Sequence, residues 1–183
     1  MKPALIITDM LNPYDHADAE PLMESARSVV PRLSELIAQA KERDVVVAYV
    51  NDNHGDWTAG RDELAHAAME GAAPELVEPL LPPPDVPFVV KARHSVFYST
   101  QLEYMLRQFG VTRLVLTGQV TEQCILYSAL DAYVRHFEVV VPQDAVAHIH
   151  EDLAESALRM MRINMRAETP PSEEALAVAV GAG

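Results

Sequence analysis

The sequence predicts an α/β fold of three layers: a mostly parallel sheet of five to six strands with helices on both faces. Two observations carry this. Short apolar runs alternate along the chain with longer stretches of helical period, the pattern of parallel strands joined by crossover helices. Several of those runs are apolar without interruption, as in Val45-Val46-Val47-Ala48 and Val139-Val140-Val141. A strand covered on both faces has no polar side to present.

The elements follow in order. Residues 4–9 read as the first strand, ending in a carboxylate, and residues 23–43 as a long amphipathic helix. Residues 45–51 form the second strand, followed by a short helix near residues 62–70. Residues 88–91 form the third strand, ending in a lysine. The next helix covers residues 101–109; Thr100 and Glu103 have capping-box spacing at its start, and Gly110 suits the residue that ends it. Residues 113–118 are the fourth strand, closed by Gly118, and residues 122–136 a helix entered through Gln119-Val120-Thr121. Thr121 reads as the cap of that helix. Residues 138–142 supply a fifth strand and residues 151–163 the last long helix, with residues 167–169 the candidate sixth strand.

At 183 residues the chain is expected to form one domain over residues 1–183, with residues 170–183 a loose or interface tail. The triplet Pro82-Pro83-Pro84 is a stiff connector inside the domain. A net charge of −13 argues against nucleic acid or an anionic membrane as partner, because phosphate binding needs basic patches. No run reaches the ~20 apolar residues that span a bilayer. The first strand begins almost at once, leaving no room for a signal peptide, and a single cysteine forms no internal disulfide. The expected setting is the cytoplasm and the expected partner a small molecule.

The chemistry gathers at strand ends. Asp9, Lys91 and Cys124 each lie at or just past the carboxyl end of an apolar run, and that edge of an open parallel sheet is where ligands bind. Each has an ordinary reading alone: a turn residue, a solvated cation, a small core hydrophobe. Together they offer base, cation and thiol. A cysteine in the first turn of a helix also faces unpaired N–H groups, which favour the thiolate.

Five segments carry a family resemblance: IITDM at 6–10, VNDNHGDW at 50–57, KARHSVFYST at 91–100, LVLTGQVTEQC at 114–124 and SALDAYVRHFEVVVPQDAVA at 128–147. In that order the chain resembles the isochorismatase-like cysteine hydrolases, among them nicotinamidases and N-carbamoylsarcosine amidase. The resemblance implies a Rossmann-like sheet of strand order 3-2-1-4-5, with a sixth strand beyond the fifth. It implies a catalytic triad of Asp9 as base, Lys91 as stabilising cation and Cys124 as nucleophile. It also implies a cis peptide at Gln119–Val120 and an oxyanion hole made by the N–H groups of Val120 and Cys124. Homodimers or homotetramers are implied as well.

The expected reaction is cysteine-dependent hydrolysis of a small amide, ureido or related C–N compound through a thioester. The alternatives are isochorismatase-type vinyl-ether hydrolysis, or a non-catalytic binding module on the same fold. Asn12, Tyr14, Asp52, Trp57, Arg93 and Tyr127 are the candidate substrate-binding residues, with Arg93 suited to a substrate carboxylate. His94 is a candidate for lining the pocket or a subunit interface. In the nicotinamidase branch, a spacing such as Asp52-Asn53-His54 contributes to a divalent metal site together with two further histidines. Here Arg61 or Trp57 stands where one of those is wanted and His66 is the candidate for the other, so the expectation is no cofactor, with a divalent metal at Asp52 and His54 the lesser reading.

Overall fold

The computed structural model describes residues 1–181. At its centre lies β1 (Pro3–Thr8), all six residues of which are buried. It pairs in parallel with β2 (Val46–Asp52) on one side and β4 (Arg113–Gln119) on the other. With β3 (Phe88–Lys91) outside β2 and β5 (Glu138–Val140) outside β4, the order is β3-β2-β1-β4-β5, as expected. The sixth strand differs from expectation. It is β6 (Val146–Ala147), which pairs with the end of β4 at Gly118 and Gln119. Residues 167–169 give only a single bridge, Val140 to Glu168, at the outer edge of β5.

Alternation along β1 builds two apolar layers. Leu5 and Ile7 face a core shared with α1 (Ala19–Glu42), which contributes Leu22, Val29, Leu33 and Leu36. Ala4 and Ile6 face the opposite layer. That layer includes Leu102 and Leu106 of α4 (Leu102–Gln108), Ala129 and Ala132 of α5 (Leu126–Val134), and Ala157 and Met161 of α6 (Glu151–Asn164). Smaller helices, α2 (Arg61–Met69) and α3 (Pro74–Val77), cover the crossover between β2 and β3. No helix among the described residues is long and apolar enough to cross a membrane.

Three local expectations change. Residues 172–180, expected as a loose or interface tail, form α7 (Ser172–Val180), whose Ala175, Leu176 and Ala179 are fully buried in the α1 layer. The last two residues of that expected tail, 182–183, lie outside the described residues. The capping box before α4 is half made: the Thr100 hydroxyl accepts from the Leu102 N–H, while Glu103 turns away to Arg107 and Arg135. Gly110 does end that helix, with φ +69°. Thr121 is not a helix cap. Its hydroxyl donates to the Ala147 carbonyl on β6, and the chain from Thr121 to Ile125 forms one turn of π-helix before α5.

Gly118 is required where β1 and β4 run side by side. Its φ is +102°, and a Cβ there would sit 2.1 Å from the Thr8 carbonyl oxygen. Absence of a side chain lets the two strand ends approach, and with them the loops that carry Asp9 and Cys124.

Candidate active site

Asp9 follows β1 in the left-handed region, φ +55°, a conformation an aspartate tolerates better than most residues. Its N–H donates to the Val50 carbonyl, which turns the side chain inward from the strand end. The Asp9 carboxylate is bound on both oxygens. Oδ1 accepts from the Asp52 N–H at 2.7 Å, and Oδ2 meets the Lys91 ammonium at 2.8 Å. Lys91 is the last residue of β3, registered opposite Asp52 of β2, and is only 2% exposed. Its Nζ also lies 3.5 Å from Asp52 Oδ2 and 3.7 Å from Cys124 Sγ. The structure thus brings Asp9, Asp52, Lys91 and Cys124 to one point from four different segments.

Cys124 sits in the π-turn and is 7% exposed. Its sulfur has a second polar neighbour, His94 Nδ1, at 3.7 Å, and the His94 ring leans on Tyr127 with centroids 5.4 Å apart. Burial first, then the Asp9 charge, push the thiol pKa well up, and Lys91 pulls it only partly back. This corrects the expectation of a thiolate at rest. A helix start contributes only its dipoles, and here the dry surroundings and the carboxylate outweigh them. Lys91 goes the other way in consequence. Burial alone would lower its pKa, but Asp9, Cys124 and Asp52 together raise it, so the ammonium stays charged. The resting site is an Asp9–Lys91 ion pair beside a neutral thiol.

A cavity of about 230 Å³ opens over Cys124. Asp9, Asn12, Asp52, Gln119 and Val120 line it, with His16, Asp18 and Ile149 farther around the wall. Of the expected substrate-binding residues, Asn12 and Asp52 therefore face it. Tyr14 does not. It is buried, and its hydroxyl donates to Gln119 Oε1, so it braces a neighbour. Trp57 is 82% exposed and lines a separate 420 Å³ hollow on the other side of Lys91, with Tyr98 and Ser99. Arg93 is exposed and makes no ion pair among the described residues, and neither it nor Tyr127 lines the Cys124 cavity.

Two side chains given no role in the site by the sequence hold it together. Gln119 Nε2 donates to the Asp9 carbonyl at 2.7 Å, fixing the backbone that carries the carboxylate. Asn51 grips Leu11 in both directions, accepting from its N–H at 2.9 Å and donating to its carbonyl at 3.1 Å. Both are polar residues near the ends of buried strands, and that is the signal by which each was legible. The peptide between Gln119 and Val120 is cis.

The Asp52 and His54 pair does not fit a metal. Asp52 Oδ2 already faces the Lys91 ammonium and Oδ1 accepts from the His54 N–H. His54 Nε2 lies 2.9 Å from the Leu11 carbonyl, to which it donates, so that nitrogen has no free lone pair. No group of three metal-ligating side chains forms among the described residues.

Comparison with known proteins places this geometry. The isochorismatase domain family matches residues 3–173. The isochorismatase family protein YaaI of Bacillus subtilis (strain 168) is 29% identical over 171 residues, covering 93% of this chain and 94% of its own. Among solved structures, an isochorismatase family protein from Desulfovibrio vulgaris superposes with a TM-score of 0.78 at 27% identity, covering 98% of each chain. N-carbamoylsarcosine amidase from Thermoplasma acidophilum superposes at 0.72, also 27% identical, over 95% of this chain and 98% of its own. A strand order, a matched span and an overall superposition agree: the chain belongs to the isochorismatase family and is an isochorismatase-like hydrolase.

Proposed function

We propose that this hydrolase cleaves a small amide, ureido or related C–N substrate, with Cys124 as nucleophile, Asp9 as general base and Lys91 as the cation that holds them together. The observation that carries the reading is one ammonium 2.8 Å from a carboxylate and 3.7 Å from a thiol, both of which line a cavity. As the substrate carbonyl approaches, the Cys124 proton passes to Asp9 and the sulfur bonds to the carbonyl carbon. The oxyanion that forms takes hydrogen bonds from the N–H groups of Val120 and Cys124. The C–N bond then breaks, and the leaving nitrogen takes the proton back from Asp9. Water attacks the thioester, giving its proton to Asp9. The carboxylic acid leaves, and the thiol is restored from Asp9.

A neutral resting thiol suits this sequence, since proton transfer then coincides with attack. Similarity to N-carbamoylsarcosine amidase supports a C–N bond as the target. Asn12 and Asp52 are the substrate contacts within the cavity.

The test is ammonia release from a panel of small amides and ureido compounds. Cys124→Ala, Cys124→Ser, Asp9→Asn and Lys91→Met should each lower turnover on the order of 10³-fold or more, with little additivity among them. Wild-type turnover in Cys124→Ala would refute the nucleophile assignment.

A further inference from the structure

We infer that the Cys124 cavity selects amides whose non-reacting part is uncharged or positively charged, and turns away those that carry a carboxylate. The inference rests on the hydrolase reading and narrows its substrate. Three carboxylates border the cavity, Asp9, Asp18 and Asp52. One ammonium, Lys91, serves the site, and it already contacts two of them, at 2.8 Å on Asp9 and 3.5 Å on Asp52. Three negative charges against one positive leave an excess of two.

Asp18 is the decisive residue. It is exposed, it makes no ion pair among the described residues, and as the residue before α1 its side chain makes no cap bond. An exposed residue that still lines the cavity stands at its mouth, where the part of a substrate remote from Cys124 must lie. No lysine or arginine among the described residues lines the cavity to offset it. Asn12, Gln119 and Gln123 are neutral. The Nε2 of His54 is spent on Leu11. Arg93, the expected partner for a carboxylate, does not border the cavity. The N–H groups of the turn at Cys124 favour negative charge at the reacting carbon, where the oxyanion forms, and not at the mouth. A narrow cavity with walls of one sign focuses its field, changing encounter rates of charged molecules roughly 10- to 10³-fold.

The single cysteine permits a test that needs no substrate. The probes are 2-aminoethyl methanethiosulfonate, a cation, and 2-sulfonatoethyl methanethiosulfonate, an anion of similar size. In each, the Cys124 thiolate attacks the sulfenyl sulfur, a disulfide forms and methanesulfinate leaves, so both report the same thiolate and its pKa cancels from their ratio. Rates are followed by intact mass at pH 7.5 and divided by those of 2-mercaptoethanol with the same reagents. The cationic probe should be favoured by about tenfold or more over the free-thiol ratio. That preference should shrink severalfold in Asp18→Asn, and in the wild type at about 1 M salt, where the screening length is ~3 Å. A corrected ratio within twofold of unity, or one favouring the anion, would overturn the inference and leave the nucleophile standing. Failure of both probes to modify the folded protein, while both modify the urea-unfolded chain, would show a cavity closed to either charge and would overturn the inference; the hydrolase reading is tested separately by ammonia release.

Discussion

Replacing Lys91 by methionine keeps its length and removes its charge, at a position where the side chain has no exposure at all. The wild-type ammonium lies between two carboxylates, 2.8 Å from Asp9 and 3.5 Å from Asp52. In the variant, Asp9 is left 7% exposed with no counter-charge, and the Asp52 carboxylate nearby is of the same sign. Breaking a buried pair by removing one partner costs roughly 3–5 kcal/mol, mainly because the other charge is stranded. In a chain of this size that lowers Tm by roughly 6–20 °C. Removing both charges strands nothing, so Asp9→Asn/Lys91→Met should recover most of the loss. The assay is urea denaturation of the wild type, both single variants and the double variant, read as a double-mutant cycle. A Lys91→Met cost below about 1 kcal/mol, or a double variant no better than the sum of the singles, would refute the reasoning. The readout is stability, so the result stands whatever the substrate is.

Iodoacetamide alkylation followed by intact mass should give Cys124 an apparent pKa above the ordinary thiol value of about 8.5, because burial and Asp9 both push it up. A rate that levels off below pH 8 would contradict this. Stability should fall on the alkaline side. Cys124 and Lys91 both hold their protons more tightly folded than unfolded, so their contribution is complete below the unfolded thiol's value near ~8.5 and is lost as pH climbs toward the raised folded values. A plot of Tm against pH should therefore descend less steeply in Cys124→Ala, and identical slopes would count against the raised thiol. Gly118→Ala should cost about 3 kcal/mol or leave the protein insoluble, since its Cβ meets backbone that the β1–β4 pairing does not let move. A denaturation midpoint unchanged from wild type would show that the strands can part.

The sheet was legible because buried parallel strands announce themselves: β1, β2, β3 and β4 each lie within a residue or so of their expected bounds. What escaped notice lacks a local signal. β6 is two residues long and exists because the end of β4 offers it a partner. The helix α7 follows Pro170-Pro171 with an Ala-Val run that reads equally as helix, strand or loose tail until α1 provides a surface for it. Within the site, residue identities could be named from strand ends, but their directions could not. Asn12 and Tyr14 stand two positions apart in one loop; the first faces the cavity and the second is buried against Gln119. That outcome depends on a partner 105 residues away. The resting charge of Cys124 has no local signal either, because the groups that set it arrive from other strands.

The bond from Gln119 to the Asp9 carbonyl spans 110 residues of sequence. Contacts of such separation must close a long loop of chain, and they slow folding. Every strand that delivers a group to the cavity must therefore be seated before Cys124 acquires its neighbours. During refolding the sulfur passes from an ordinary solvent-exposed thiol to a sheltered one at the final stage of assembly. Brief pulses of alkylating reagent along the refolding time course would then read out completion of the native sheet, without an added label.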